Sequence, residues 1–236
     1  NTLSLKNFAK LSSVNINVLY EDNHLLVVEK PVNILSQGDN TNDKDMVNLL
    51  KAYLKEKYNK PGNVYLGLVH RLDRPVGGAM VFAKTSKAAS RLSEQIRNKT
   101  FKKTYRAVIN GKMRKQSDTL KDYLYKNKKT NMVSVVSESH KDSKYAELSY
   151  ETLAFKDKMS LVQIDLKTGR PHQIRVQFAS RNNPLVGDQR YGKNSKVGQQ
   201  IALWSYKIEI VHPVTKEKME FVCEPPKEYP WNVFDK

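Results

Sequence analysis

Alternating apolar and polar positions predict strands along most of the chain. Residues 18–21 and 25–29 are strand-like, and the Asp-Asn-His turn between them predicts a hairpin that Pro31 ends. Tyr105, Ala107 and Ile109 alternate with polar neighbours, which indicates one face of a further strand. Other strand-like segments are residues 64–69, 79–83, 132–136, 145–153, 161–166, 201–211 and 219–223.

Three segments instead carry helical patterns. Residues 46–58 have an apolar stripe that Asp43 or Asp45 can cap, and a second helix follows Thr85 or Ser86. Residues 172–180 predict a short helix with Pro171 at its start. Because strands outnumber helices and do not alternate with them regularly, the pattern predicts an α+β fold. Residues 1–17 are expected to be a flexible or capping extension, residues 18–236 a single domain, and residues 118–130 a polar, Lys-rich surface insertion.

The charge balance points to a polyanionic partner. The chain has 236 residues, with 41 Lys and Arg against 24 Asp and Glu, which gives a net charge of +17. Such a surplus favours nucleic acid, although a charge serving only solubility produces the same count. The basic residues are spread along the chain and no apolar run reaches the ~18 residues of a membrane span, so we expect no membrane partner.

Redox and cofactor chemistry have no support in the sequence. The single cysteine, Cys223, cannot form an internal disulfide, and we expect a reducing compartment: the cytoplasm, or an organelle if a leader was removed before Asn1. The five histidines lack metal-ligand spacing, and no phosphate-binding glycine motif is present. We therefore expect neither a metal nor a cofactor.

Two segments carry groups suited to chemistry. In His70-Arg71-Leu72-Asp73-Arg74, a carboxylate lies between two arginines just before a Gly/Pro turn, where it could act as nucleophile or base, or form an ordinary ion pair. Thr168–Arg175 places two arginines, an imidazole and an amide around a chain reversal. That grouping suits anion or carboxylate binding, and the alternative is helix capping together with phosphate positioning.

Together these segments resemble the RluA family of pseudouridine synthases. The family motifs H-R-L-D and G-R-x-H-Q-I-R match residues 70–73 and 169–175, and K-T-Y-R-A at residues 103–107 resembles its tyrosine strand. The opening hairpin ending in Lys-Pro and the later Arg-Tyr-Gly at residues 190–192 also match, so the resemblance covers about residues 18–223. It implies a mixed, mainly antiparallel central sheet with flanking helices. Pro75–Gly78 and Trp204-Ser205 depart from the family's usual residues.

The resemblance also implies roles for individual residues. Asp73 matches the catalytic aspartate, which acts as nucleophile or base. Tyr105 matches the active-site tyrosine, and Arg175 matches the arginine that pairs with the aspartate. Arg71 matches an arginine that can enter the stack of RNA bases at the place that the target base has left. Leu203 matches an apolar residue of the pocket for that base. The basic and polar motif residues expected to bind RNA are Arg71, Arg74, Arg170, His172, Gln173 and Lys103.

The implied function is isomerisation of specific uridines to pseudouridine in structured ribosomal or transfer RNA. A catalytically silent RNA-binding module of the same fold is the main alternative. A glycoside hydrolase is a more remote one, because no second carboxylate lies near the motif. We expect a monomer without the N-terminal S4 domain that many family members carry, since the segment before Tyr20 is too short for it.

Overall fold

The computed structural model describes residues 7–11, 14–193 and 195–235, which form two compact units. The first unit contains the described residues up to Lys102 together with Ser205–Glu224. The second contains Lys103–Trp204 and the residues from Pro225 onward. Within these described residues, no helix is both long and apolar enough to span a membrane.

Both units combine strands with helices. The strands are β1 (Asn7–Leu11), β2 (Val14–Glu21), β3 (Leu25–Lys30), β4 (Gly67–Leu68), β5 (Gly77–Ala83), β6 (Lys102–Asn110), β7 (Ser117–Lys126), β8 (Val133–Val136), β9 (Lys144–Lys156), β10 (Met159–Leu166), β11 (Leu203–Val211) and β12 (Lys218–Val222). The helices are α1 (Met46–Lys57), α2 (Ser86–Arg97), α3 (Gln173–Ala179) and a short 3₁₀ helix at Trp231–Phe234.

The first unit is built on a sheet in the order β1-β2-β3-β5-β11, with β4 paired to β5 and β12 paired to β11. Strand β5 and the first four residues of β3 are apolar and buried, as expected for the centre of a sheet. Asp45 caps α1 by accepting a hydrogen bond from Asn48 N, and Thr85 caps α2 in the same way through Ala88 N. Both capping residues are among those that the sequence indicated.

A buried carboxylate fastens α1 to the sheet of the first unit. Glu21, at the end of β2, accepts hydrogen bonds from Tyr53, Lys57 and Tyr58 of the α1 segment and from Lys84. Although burial alone raises the pKa of Glu21, these four donors lower it to about 2. The carboxylate is therefore ionised at neutral pH and contributes to stability.

The second unit has a sheet in the order β6-β10-β9-β7-β8, with antiparallel registers between neighbours. Helix α3 packs on one face, where Val176 joins a cluster with Leu124, Val133 and Ala146. On another part of the sheet, the 3₁₀ helix packs against a second apolar cluster that includes Val108 and Met159. The mostly antiparallel strands and the few helices of both units confirm the predicted α+β class.

Two segments differ from the sequence prediction. Residues 118–130, expected to be a polar surface insertion, are largely a regular strand. Most of them form β7, in which Leu120 and Leu124 are buried while Lys121 between them is exposed, and only residues 127–130 are a turn. The pattern was obscured because an apolar residue occurs only every fourth position. At the N-terminus, β1 pairs with β2 as an edge strand that the polar sequence did not predict.

Candidate active site

The segment that ends at Asp73 is held in place by its own neighbours. His70 is buried and its Nε2 accepts a hydrogen bond from Val81 N of β5, at 3.0 Å. Leu72 is also buried, and Ser36 Oγ both donates to its carbonyl at 2.8 Å and accepts from its amide at 3.0 Å. The backbone before Asp73 is thus fixed, whereas the Asp73 side chain is only partly buried.

The turn after Asp73 has a defined backbone geometry. Val76 N donates to Asp73 O at 2.9 Å, which closes the turn. Gly78 follows with φ +120°, and a Cβ there would lie 2.2 Å from the Ser205 carbonyl oxygen. Only glycine meets both conditions, so Gly78 sets the geometry by which the Asp73 turn enters β5.

A wholly buried lysine supports the same turn. Lys30, at the end of β3, has no exposed surface, and its Nζ donates to the carbonyls of Pro31 at 2.9 Å and Arg74 at 3.0 Å. Burial lowers the Lys30 pKa to about 7, while the negative charge of Asp73 opposes this effect and the positive charge of Arg74 adds to it. Lys30 therefore connects β3 to the backbone beside Asp73, and the charge of Asp73 raises the pKa of Lys30.

The two arginines that flank Asp73 are exposed. Arg71 donates to Gln37 Oε1 at 2.6 Å, and Arg74 forms an ion pair with Asp43 at 2.9 Å in which both side chains remain largely solvated. Such a surface pair contributes only about 0–1 kcal/mol. Both guanidinium groups are accessible to an anionic ligand, as the sequence prediction requires.

On β6 in the second unit, Tyr105 is buried, with 7% of its surface exposed, and pairs across the sheet with Ile164. Lys103 precedes it on the same strand, and burial lowers the Lys103 pKa. Leu203 is likewise buried, at the start of β11. Its predicted part in a base pocket stays a prediction.

Arg175, in the first turns of α3, is bound by a carboxylate that the sequence analysis missed. Asp188 accepts from Arg175 Nε at 3.0 Å and from Arg175 Nη2 at 2.8 Å, and both side chains are buried. Asp188 stands two residues before the Arg190-Tyr191-Gly192 match, and this adjacency was the signal that could have revealed it. The predicted pairing of Arg175 with Asp73 stays a prediction.

Gln173, predicted to bind RNA, is buried and hydrogen-bonded within the protein. Its side chain is 3% exposed, and its amide oxygen accepts from Thr168 Oγ1 and Arg170 N. Its amide nitrogen donates to Glu147 O and Gln177 Oε1. Because every one of these partners belongs to the protein, we interpret Gln173 as a structural residue that fixes the Gly169–Pro171 reversal against β9 and α3.

Two other residues of this motif are more accessible. Arg170 Nε donates to the Tyr145 carbonyl at 2.7 Å, and His172 Nδ1 lies 2.7 Å from the Tyr191 hydroxyl. His172 has φ 52°, a left-handed conformation that begins α3 without a side-chain cap. Both remain candidates for contact with RNA, because their side chains are only partly buried.

The structure thus places Asp73, Arg71 and Arg74 in the first unit and the remaining predicted site residues in the second. Within the second, α3 and the loop after it bring together His172, Arg175, Asp188 and Tyr191. In the part of the chain that is described, no three His, Cys, Asp or Glu side chains are grouped so as to hold a metal ion.

Comparison with known proteins supports one family. The sequence model of the family described as RNA pseudouridylate synthase matches residues 24–180, a range that contains Asp73, Tyr105 and Arg175. An uncharacterized RNA pseudouridine synthase of Bacillus subtilis, YhcT, is 35% identical over 86% of this chain and 66% of its own length. The ribosomal large subunit pseudouridine synthase C of Buchnera aphidicola is 32% identical over 88% of this chain and 66% of its own.

A solved structure shows the same fold. The human RNA pseudouridylate synthase domain containing 4 aligns with a TM-score of 0.75 over 89% of this chain and 88% of that chain, at 20% sequence identity. The chain spans about two thirds of the length of the first two curated relatives named above.

Proposed function

The chain belongs to the RNA pseudouridylate synthase family, and we propose that it isomerises uridine to pseudouridine in structured RNA with Asp73 as its catalytic carboxylate. The observation that carries this proposal is the construction around Asp73. Its backbone is pinned by buried neighbours while its carboxylate remains partly exposed beside Lys30, Arg71 and Arg74. A rigidly held carboxylate among cations is what a nucleophile or base requires.

The proposed reaction breaks the N1–C1′ bond of uridine and forms a C5–C1′ bond. N1 gains a proton and C5 loses one, so no atom is added and no electron is transferred. Asp73 either attacks C1′ or removes the 2′ proton to give a glycal. We propose that Tyr105 stacks on the uracil and takes or relays the C5 proton, and that the Arg175 charge keeps Asp73 ionised.

RNA recognition is proposed to combine base flipping with phosphate contacts. Extracting the uridine from a folded RNA costs a few kcal/mol, and Arg71, being exposed, can recover part of this by entering the stack. The net charge of +17 supplies affinity through phosphates, which should weaken steeply with salt. Ribosomal RNA is the proposed substrate, because relatives are named as ribosomal large subunit enzymes, with transfer RNA as the alternative. The cytoplasmic location and monomeric state remain predictions.

Mapping of pseudouridines in cellular RNA tests this proposal. Cells of a strain that lacks the protein are complemented with the wild type or with Asp73→Asn, and all pseudouridines in ribosomal and transfer RNA are compared. We expect one or a few sites to return with the wild type and none with Asp73→Asn. A binding module without catalytic activity would instead leave the maps identical in all three strains, which would contradict the proposal.

A further inference from the structure

The buried contact between Arg175 and Asp188 indicates residues that act on the reaction without touching the substrate. We propose that Asp188 and Tyr191 are positioning residues that set the direction of the Arg175 guanidinium, an inference that rests on the proposed role of Arg175. Asp188 has 1% of its surface exposed, and it follows Gly187 in the loop between α3 and β11. Asp188 lies outside the motifs that define the predicted site, and Tyr191 lies in the Arg-Tyr-Gly match, to which the resemblance assigned no role.

Asp188 determines the plane of the guanidinium group. Its two carboxylate oxygens accept from Nε at 3.0 Å and from Nη2 at 2.8 Å, a paired contact along one edge of Arg175. Since the guanidinium group is planar and rigid, fixing one edge also fixes the direction of the opposite edge. The ammonium group of a lysine at this position would not be oriented in this way, because it has no plane.

The same carboxylate also fixes its own loop. Asp188 Oδ1 accepts from the backbone amides of Arg190 and Tyr191, both at 3.1 Å, and Asp188 O accepts from Ser195 Oγ at 2.9 Å. These bonds place the Tyr191 ring with its centroid 5.2 Å from Arg175 Cζ, within the range of a cation–π contact. The guanidinium group is therefore held both at one edge and against a ring face.

Tyr191 is itself held by two further elements. Its hydroxyl accepts from Val133 N at the start of β8, at 3.0 Å, and lies 2.7 Å from Nδ1 of His172 at the N-terminus of α3. Burial raises the pKa of Tyr191, so the hydroxyl stays protonated at neutral pH. The loop, β8 and α3 are thus joined through one side chain that contacts Arg175.

A double-mutant cycle on pseudouridine formation separates positioning from stability. Single-turnover rates are measured for the wild type, Asp188→Asn, Arg175→Met and the double variant, at saturating and subsaturating RNA. Asparagine keeps the shape of Asp188 but turns an amide donor towards a guanidinium N–H. We expect Asp188→Asn to lower the single-turnover rate constant about 30- to 100-fold, as a small misplacement of a catalytic group does, and to change RNA affinity less than about threefold.

If Asp188 acts through Arg175, the double variant is no slower than Arg175→Met alone, because the positioning residue then has nothing to orient. Additive losses would overturn the proposal, as would full activity of Asp188→Asn. The matched control is Asp122→Asn, which breaks the Arg181–Asp122 ion pair of the same unit at 2.8 Å. It should lower the melting temperature while leaving the rate within about twofold.

A second pair of variants keeps the proposal testable if Asp188→Asn does not fold. Tyr191→Phe retains the ring over Arg175 and should keep the rate within about threefold, whereas Tyr191→Leu removes the ring and should lower it about tenfold. Equal rates for these two variants would contradict the positioning role of the ring.

If the wild type itself forms no pseudouridine in any RNA, the proposed function fails. An active wild type with an inactive Asp73→Asn and a fully active Asp188→Asn refutes the positioning role alone.

Discussion

Replacing Lys30 by methionine should change how stability depends on pH. The Lys30 pKa is about 7 in the folded protein, against about 10.5 for an ordinary lysine. Between these values the unfolded chain holds a proton that the folded chain has released. The free energy of unfolding of the wild type therefore rises with pH across this window. The rise due to Lys30 is complete above pH ~10.5, and none of it is present below pH ~7.

The size of the effect follows from the shift. A difference of about 3.5 pKa units corresponds to roughly 5 kcal/mol over the whole window, of which about 3 kcal/mol falls between pH 7 and pH 9.5. Lys30→Met also removes the hydrogen bonds to the Pro31 and Arg74 carbonyls, a loss of about 1 kcal/mol each that does not vary with pH. Compared with the wild type at the same pH, Lys30→Met should thus be more stable near pH 7 and less stable near pH 9.5.

Chemical denaturation at several pH values measures this difference directly. The matched control is Lys55→Met, on the exposed side of α1, which should leave the pH dependence of the wild type intact. The reasoning about Lys30 is refuted if the free-energy difference between wild type and Lys30→Met stays constant within about 1 kcal/mol from pH 7 to pH 9.5.

Three further predictions concern other parts of the chain. Glu21→Gln should remove up to about 3 kcal/mol of unfolding free energy at neutral pH, and the gap to wild type should close as pH falls from 4.5 towards 2 in acid-denaturation curves; a gap unchanged at pH 3 contradicts this. Tyr105→Phe should lower single-turnover pseudouridine formation at least about 100-fold while filter binding of RNA changes less than threefold, and an unchanged rate would exclude the hydroxyl from proton transfer. Gln173→Leu should lower the free energy of unfolding by about 2–4 kcal/mol in urea titrations without weakening RNA binding by the folded protein, because its amide bonds only protein groups; weakened binding would restore its role as an RNA contact.

The sequence predicted those parts of the fold in which local chemistry and periodicity agree. Helix α1 begins after the Asp45 cap and its stripe is buried, because side-chain capping and apolar spacing both act within a few residues. Strand β7 was missed because its buried positions, Leu120 and Leu124, are separated by a lysine, an aspartate and a tyrosine. Its strand character comes from pairing with β9, a neighbour that lies about 30 residues further along the chain.

The candidate site shows the same division between local and distant information. The H-R-L-D motif marked Asp73, yet it could not show that Lys30 is buried beneath the turn, since that contact joins residues 44 positions apart. Gln173 lay in a motif typical of anion binding, and only the structure shows its amide bonded within the protein. Asp188 was overlooked because an aspartate in a polar loop has no periodicity, although its position beside the Arg-Tyr-Gly match was visible.

Release of tritium from RNA labelled at uridine C5 tests the central claim most directly. Each pseudouridine formed replaces the C5 hydrogen, so purified wild-type protein incubated with RNA from a strain that lacks it should release tritium in proportion to the sites modified. Asp73→Asn should release none while binding the same RNA with affinity within about threefold. The control Asp43→Asn removes only the surface partner of Arg74 and should match the wild type. Full tritium release by Asp73→Asn would contradict the assignment of Asp73.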